Sequence, residues 1–241
     1  MKRSVLVTIV VLLLAVFAQA QEHDVTTVQN ILRENNLEWD LFERILLKNG
    51  RIVTLNLDNK EYHLEGIKTL SPIIGSLTEL KVLTLNDNDL KELPDDVFTL
   101  TKLTRLEVKN NELVKLPENI GNLVYLRELD LRNNEFRYLP NSVLNLKSLV
   151  KLHLWGNRLE YLPEKIGRLS SLKELYLRRN RLMALPISVT KLNLTYFDFD
   201  ENYLCEVDDK RIDKWLKKYD DRYKSVQYCI HNRPIGSLFF N

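Results

Sequence analysis

The side chains that could bind a metal or transfer protons are few and far apart in this sequence of 241 residues. The four histidines are His23, His63, His153 and His231, and none lies three or four residues from another histidine or a cysteine. A zinc site needs several such ligands close together, so we expect no metal and no cofactor. The motifs G-x-S-x-G and G-x-x-x-x-G-K are missing from the sequence, so we expect no enzyme. An unrecognised site around His153 is the remote alternative.

Aromatic and basic residues recur at a fixed interval in the second half of the chain. Arg132, Trp155 and Arg178 are separated by 23 residues, and His153 and Tyr176 show the same interval. Tryptophan, tyrosine and arginine are the residues most enriched where proteins bind other molecules. The chemistry that these residues favour is molecular recognition, if a repeated element brings them to one face.

A repeated unit of 23 residues supplies such an element. Its pattern is L-x-x-L-x-L-x-x-N-x-L-x-x-L-P, and a degenerate copy from Ile52 and a shortened copy from Leu194 flank the regular ones. The regular units begin at Leu80, Leu103, Leu126, Leu149 and Leu172, with asparagines at Asn88, Asn111, Asn134, Asn157 and Asn180 and prolines at Pro94, Pro117, Pro140, Pro163 and Pro186. Five units without a frame slip predict a stacked array.

Each part of the unit predicts a local structure. The alternation in L-x-x-L-x-L indicates a short strand with leucines inward, and stacked strands form a parallel sheet over one core. An asparagine can pair the buried backbone groups of the turn, whereas Asn133, beside Asn134, should face solvent. Because proline fixes φ and lacks an N–H, the return limb should be extended or a short 3₁₀ helix. Its core-covering residues should be Ile120, Leu123, Leu146, Ile166 and Leu169.

With this pattern the chain resembles the leucine-rich-repeat family, in the class of 23-residue repeats with L-P-x-x-I/V-x-x-L in the second half. The resemblance covers residues 52–204. It implies an α/β solenoid, a curved horseshoe with a parallel sheet on the concave face and helical end caps. The segment L-C … W-L … Q-Y-C also resembles C-terminal caps of secreted bacterial members of the family.

The two ends of the array need caps, because an open solenoid exposes its core and its sheet edges. We expect an N-terminal cap at residues 21–51 and a C-terminal cap at residues 205–241. Apolar residues at helical spacing predict two short N-terminal helices, one with Val28, Ile31 and Leu32, the other with Leu41, Ile45 and Leu46. Residues 207–219 predict a third, with Ile212, Trp215, Leu216 and Tyr219 on one face.

Residues 1–20 have the pattern of a signal peptide. Lys2 and Arg3 precede an apolar run that ends in Ala18-Gln19-Ala20, so the mature chain should begin at Gln21. The run is shorter than the ~18–20 residues of a membrane span, so we expect export, secreted or periplasmic, without membrane insertion after cleavage. Cleavage reduces the 35 basic residues to 33, equal to the 33 acidic ones, which argues against nucleic-acid binding by bulk charge.

The two cysteines, Cys205 and Cys229, both lie in the C-terminal cap. In an exported protein such a pair indicates a disulfide, and two unpaired buried thiols are the alternative.

The residues between the leucines of each strand should form the binding face. We expect on it Arg132, His153, Trp155, Tyr176, Arg178, Arg179, Tyr196, Asp198 and Asp200. Trp155 should lie at the centre, flanked by Arg132 and Arg178, with an acidic end beyond. The function that we expect is recognition of a protein ligand on the concave face. The alternatives are a glycan-binding or adhesion protein, and a Trp155 held by the arginines that binds nothing.

Overall fold

The computed structural model describes residues 22–41, 43–59, 66–230 and 233–234. The predicted signal peptide, the predicted mature terminus at Gln21, and the end of the C-terminal tail lie outside the described residues.

Eight strands form one sheet in chain order, on the concave face of a curved solenoid. The strands are β1 Ile45–Lys48, β2 Arg51–Asn56, β3 Val82–Thr84, β4 Arg105–Glu107, β5 Glu128–Asp130, β6 Lys151–His153, β7 Glu174–Tyr176 and β8 Tyr196–Asp198. From β2 to β8 they are parallel, and register pairs such as Leu106 with Leu129 reproduce the 23-residue interval. The predicted stacking of one unit on the next is therefore confirmed.

Short 3₁₀ helices form the convex side, as the repeat prolines predict. They are Pro72–Ser76, Asp95–Thr99, Glu118–Asn122, Asn141–Asn145, Ile166–Arg168 and Ile187–Lys191. Four of the six begin directly after a repeat proline with extended backbone angles. The core-covering residues Ile120, Leu123, Leu146, Ile166 and Leu169 are all 0% exposed, so both limbs bury one continuous apolar core.

The repeat asparagines form a buried ladder between units. The Nδ2 of Asn134 donates to the carbonyls of Val108 (2.9 Å), Leu131 (3.1 Å) and Arg132 (3.1 Å), and its Oδ1 accepts from the N–H of Leu113 (3.0 Å). The same kind of pairing to the preceding unit occurs at Asn88, Asn111, Asn157, Asn180 and Asn202. The predicted role of these residues is confirmed.

The residue before each ladder asparagine has a structural role that the sequence analysis did not predict. It takes a left-handed backbone conformation, for example φ 54° at Asn110, 51° at Asn133 and 72° at Gly156. The amide of Asn133 donates to Oδ1 of Asn110 at 2.6 Å, and the amide of Asn110 donates to Asp87. Asn133 is therefore a partly buried turn residue, and the expectation that it merely faces solvent is wrong.

Gly156 continues this row without a side chain, and its replacement by alanine is expected to destabilise the fold by about 1–2 kcal/mol. A left-handed φ strains a residue with a Cβ, and a Cβ here would collide with Oδ1 of Asn133. Thermal denaturation of Gly156→Ala measures the loss. In the double variant Gly156→Ala/Asn133→Gly, the part of the destabilisation that comes from the collision should be recovered. A double variant that melts like the single one would show that the collision contributes nothing.

The N-terminal end contains one of the two predicted helices. Helix α1, Glu22–Glu34, buries Val28, Ile31 and Leu32 against the core. The second predicted helix is wrong, because Ile45–Lys48 is strand β1, antiparallel to β2. Asn49 (φ 52°) and Gly50 (φ 73°) form the turn between them, and two successive positive φ angles are the geometry of a tight hairpin.

The C-terminal end contains the predicted helix, although it is shorter than the predicted residues 207–219. Helix α2, Lys210–Leu216, buries Ile212, Trp215 and Leu216, and Trp215 packs 5.0 Å from the ring of Phe197. Cys205 and Cys229 form the predicted disulfide, with a Cα–Cα distance of 6.1 Å. The 3₁₀ helix Tyr223–Val226 and the hairpin of β9, Cys229–Ile230, with β10, Arg233–Pro234, complete this end. In the described ranges, none of the helices has the length and apolarity needed to cross a bilayer.

Candidate ligand-binding face

Three aromatic rings contact one another across neighbouring strands on the concave face. The rings of His153 and Tyr176 are stacked, 4.3 Å apart and 15° from parallel, and those of Tyr176 and Tyr196 lie 4.8 Å apart with a tilt of 32°. His153 and Tyr176 are direct register partners on β6 and β7, so the strand spacing of about 4.8 Å sets the stacking distance. The repeat interval therefore brings these predicted residues together. We call His153, Trp155, Tyr176 and Tyr196 the concave aromatic surface.

Trp155 lies two residues beyond His153, the last residue of β6, and it is partly buried. Its Nε1 atom is buried and has no hydrogen-bond partner in the described part of the chain. The cation that faces its ring is the guanidinium of Arg179, 5.7 Å from the ring centroid. The sequence analysis predicted that Arg132 and Arg178 flank Trp155. This prediction is wrong, because the cation that contacts the ring is Arg179.

The predicted arginines of this face are all bound to carboxylates. Arg132 binds both carboxylate oxygens of Asp130, the last residue of β5, because the two residues lie on the same side of the chain. Arg178 and Arg179 both bind Glu201 in the next unit. These ion pairs hold the guanidinium groups in place, and they reduce the predicted basic character of the centre.

Beyond the arginines, Asp198 and Asp200 form the predicted acidic end. Both side chains are partly buried, and this burial raises the pKa of each carboxyl group. The pKa of the Glu201 carboxyl group is shifted in the opposite direction. Hydrogen bonds from Arg179, Tyr228 and Arg178 lower the pKa of Glu201 to about 2.

His153 contributes a neutral ring to the surface. Its side chain is only 12% exposed, and this burial lowers the pKa of its imidazole. The Nε2 atom is 3.8 Å from Oε1 of Glu128, and Nδ1 has no hydrogen-bond partner among the described residues. Tyr176 donates its hydroxyl proton to Glu174 at 2.9 Å, and burial together with this bond raises the pKa of Tyr176 to about 12. Both rings are uncharged at neutral pH and suit apolar and stacking contacts.

A protein-family model and a solved structure are similar to this chain. Residues 106–177 match the family model described as a leucine-rich repeat region. A leucine-rich-repeat protein of Leptospira interrogans superimposes with a TM-score of 0.62 at 36% sequence identity, over 69% of this chain and 41% of that one. The chain is a leucine-rich-repeat protein. It spans about two fifths of the length of the Leptospira protein. No curated protein sequence matches it.

Two plant receptor ectodomains are also similar to this leucine-rich-repeat protein. The ectodomain of the receptor kinase SOBIR1 from Arabidopsis thaliana has a TM-score of 0.58 at 28% identity, over 70% of this chain and 98% of that one. The ectodomain of the Arabidopsis thaliana receptor kinase GASSHO1/SCHENGEN3, in complex with CASPARIAN STRIP INTEGRITY FACTOR 2, has a TM-score of 0.52 at 30% identity, over 56% of this chain and 17% of that one.

A second aromatic pair of this leucine-rich-repeat protein was missed by the sequence analysis. Tyr138 and Tyr161 are 47% and 56% exposed, and their rings are parallel within 4° at 6.4 Å. They lie beside Pro140 and Pro163, in a groove of about 940 Å³ at the edge of the array that carries the asparagine turns. Their 23-residue separation was the available signal, and it was overlooked because only the strand positions were considered.

The Glu201 ion pairs predict a pH-dependent stability difference. Replacing Glu201 by glutamine should lower the free energy of unfolding at pH 7 by about 1 kcal/mol, the usual size of a partly exposed ion pair. Because the folded pKa lies below the ordinary value of 4.5, at about 2, this contribution is present above pH 4.5 and is lost as the pH falls towards 2. Thermal denaturation of both proteins between pH 7 and 2 should show converging melting temperatures. A constant difference over that range would contradict the assignment.

Proposed function

We propose that this leucine-rich-repeat protein is exported and binds a protein ligand on its concave face, with the concave aromatic surface as its central contact. The observation that carries the proposal is the cluster of the His153, Tyr176 and Tyr196 rings near Trp155 on the concave face, where Tyr196 is exposed and the other three are partly buried. Aromatic residues clustered at the centre of a polar surface are typical of binding hot spots. We propose that the ligand contacts the nine residues that the sequence analysis predicted on the binding face.

Preorganisation supports this assignment. The ion pairs of Arg132 with Asp130 and of Arg178 with Glu201 hold long side chains that would otherwise lose rotamer freedom on binding. The aromatic rings have few rotatable bonds and already pack against one another. A ligand that meets this surface therefore orders few side chains, and more of the contact energy remains as affinity.

The comparisons with solved structures support a protein as the class of ligand. The similar ectodomain of GASSHO1/SCHENGEN3 was determined in complex with CASPARIAN STRIP INTEGRITY FACTOR 2. Leucine-rich-repeat relatives of this kind commonly bind protein ligands, and their use of the fold favours a binding protein over an enzyme here.

Export is supported by the disulfide between Cys205 and Cys229, because disulfides persist mainly in oxidising compartments. The predicted signal peptide at residues 1–20 agrees with it. We further propose residues 21–51 and 205–241 as the caps of an array that spans residues 52–204.

The class of ligand is tested by screening the purified chain in parallel against extracellular or envelope proteins and against a glycan array. We expect a protein partner whose binding is lost in the Trp155→Ala variant. A concave face that binds only glycans, again with loss in Trp155→Ala, would contradict the proposed ligand class.

A further inference from the structure

A cationic groove lies on the lateral edge of the solenoid, where the strands begin, opposite the edge that carries the asparagine turns. It is open, has a volume of about 630 Å³, and is lined by Lys81, Lys102, Tyr125, Arg127 and Lys147 together with four neutral side chains. No carboxylate is among the lining residues. A groove whose charged lining residues are all cations attracts anions, because the low-dielectric walls concentrate the field of its charges.

Three of the four cations of this groove lack an ion-pair partner among the described residues, although Glu79 attracts Lys81 as well as Lys102. Lys81 and Arg127 are exposed, and neither has a carboxylate at ion-pair distance in the described part of the chain. Lys102 pairs with Glu79. Lys147 donates to the carbonyl of Arg168 at 3.0 Å, and burial together with the charge of Arg168 lowers the pKa of its ammonium group.

This situation differs from that of the concave face, where the arginines are bound to carboxylates of the same face. The chain as a whole is nearly balanced, at +2, whereas this groove is lined by four cations and no carboxylate. The attraction that it exerts is local and directed at a ligand that fits the groove.

The free cations are regularly spaced. Lys81 and Arg127 occupy the second place of units two repeats apart, and Lys173 occupies the same place two repeats further on. At about 4.8 Å per strand they recur about every 10 Å along the solenoid. Small uncharged side chains, Thr104 and Val150, separate them. A linear polymer with anionic groups at this interval can contact each cation in turn.

An exposed tyrosine indicates what carries those anionic groups. Tyr125 is 63% exposed, and no described aromatic ring packs against its own. The hydroxyl groups of Ser148 and Ser171 line the same groove. An aromatic face packs on the C–H face of a pyranose ring, and serine hydroxyls can exchange hydrogen bonds with sugar hydroxyls. Cations bind sulfate or carboxylate groups through charge-assisted hydrogen bonds.

From these observations we propose that the groove binds a linear anionic polysaccharide. Sulfate or uronate groups contact Lys81, Arg127 and Lys147, and a sugar ring packs on Tyr125. This site is separate from the concave aromatic surface, so the protein can hold a protein ligand and a charged polysaccharide at the same time.

The test measures binding of the full chain to heparin, a sulfated polysaccharide used as the probe, as a function of sodium chloride concentration. Each cation that contacts the polymer releases about one counterion, so a plot of the log of the association constant against log salt has a negative slope. In Lys81→Gln/Arg127→Gln this slope should become shallower by about two. The matched control is Arg137→Gln/Arg181→Gln, which removes from the opposite edge two exposed arginines that have no ion-pair partner among the described residues. This control should keep the slope of the unchanged protein.

Tyr125→Ala distinguishes a sugar from any other polyanion. It should weaken heparin binding several-fold and leave binding of inorganic polyphosphate unchanged. Equal heparin binding by the parent chain and Lys81→Gln/Arg127→Gln would overturn the proposal. Tighter binding to duplex DNA or to phosphatidylglycerol vesicles than to heparin at equal salt would also overturn it. Melting curves of every variant confirm that each remains folded.

Discussion

Replacing Asn134 by leucine is expected to lower the free energy of unfolding by roughly 3 kcal/mol, the upper end of the cost of unpaired buried polar groups. The change removes the side-chain partner of Leu113, Val108, Leu131 and Arg132 backbone groups at the junction of successive units. Water cannot replace the amide, because Asn134 is only 5% exposed. Thermal denaturation should show a melting temperature lower by about 6–12 °C.

The matched control for this change is Asn133→Gly, one residue earlier. Glycine accepts the left-handed backbone of that position, where the next unit already has Gly156. Only the side-chain bond to Asn110 is lost, so the free energy of unfolding should change by less than about 1 kcal/mol. Equal destabilisation by the two variants would contradict the assignment of the ladder to Asn134.

Trp155→Ala is expected to weaken ligand binding by about 2 kcal/mol or more, which is roughly a thirty-fold increase in Kd. Trp155 lies beside the stacked rings and is held under Arg179, so its removal leaves a gap at the centre of the concave aromatic surface. Titration of the partner identified in the protein screen measures the effect.

The stability of Trp155→Ala separates binding from structure. The ring is partly exposed, whereas Leu152 in the same repeat unit is 0% exposed, so Trp155→Ala should destabilise the fold by well under the ~2–5 kcal/mol of a core leucine deletion. Lys165→Ala on the convex side should leave affinity unchanged. A Trp155→Ala variant that melts like Leu152→Ala would make the tryptophan structural, and one that keeps full affinity would place the ligand elsewhere.

Much of the fold could be predicted because one unit recurs without a frame slip. The interval of 23 residues sets the register of Leu106 on Leu129 and thereby of His153 on Tyr176. Buried turns need an amide partner, and the proline excludes a long helix on the return limb, so Asn134 and the 3₁₀ segments also followed from the sequence.

The N-terminal hairpin could not be predicted from apolar spacing alone. Leu41, Ile45 and Leu46 fit a helical interval, yet Leu46 is 59% exposed on strand β1. The dipeptide Asn49-Gly50 is a strong hairpin signal, since both residues readily take positive φ, and it deserved more weight than the apolar spacing.

The contacts of the arginines could not be predicted from their place in the unit. Arg132 and Arg178 stand at the same place as Trp155, but each also lies within reach of a carboxylate, Asp130 or Glu201. A charge-assisted, multiply bonded ion pair is stronger than a cation–π contact at a partly exposed site. Side-chain competition of this kind depends on three-dimensional neighbours that a linear pattern does not contain.

The central claim, that a protein ligand binds on the concave face, is tested most directly by site-specific photo-crosslinking. A photoreactive amino acid replaces Tyr196, which is 49% exposed at the rim of the concave aromatic surface, or Lys165 on the convex side. We expect one crosslinked partner protein from position 196, its loss when Trp155→Ala is added, and no such product from position 165. A product from position 165 alone, or one from position 196 that persists in Trp155→Ala, would contradict the central claim.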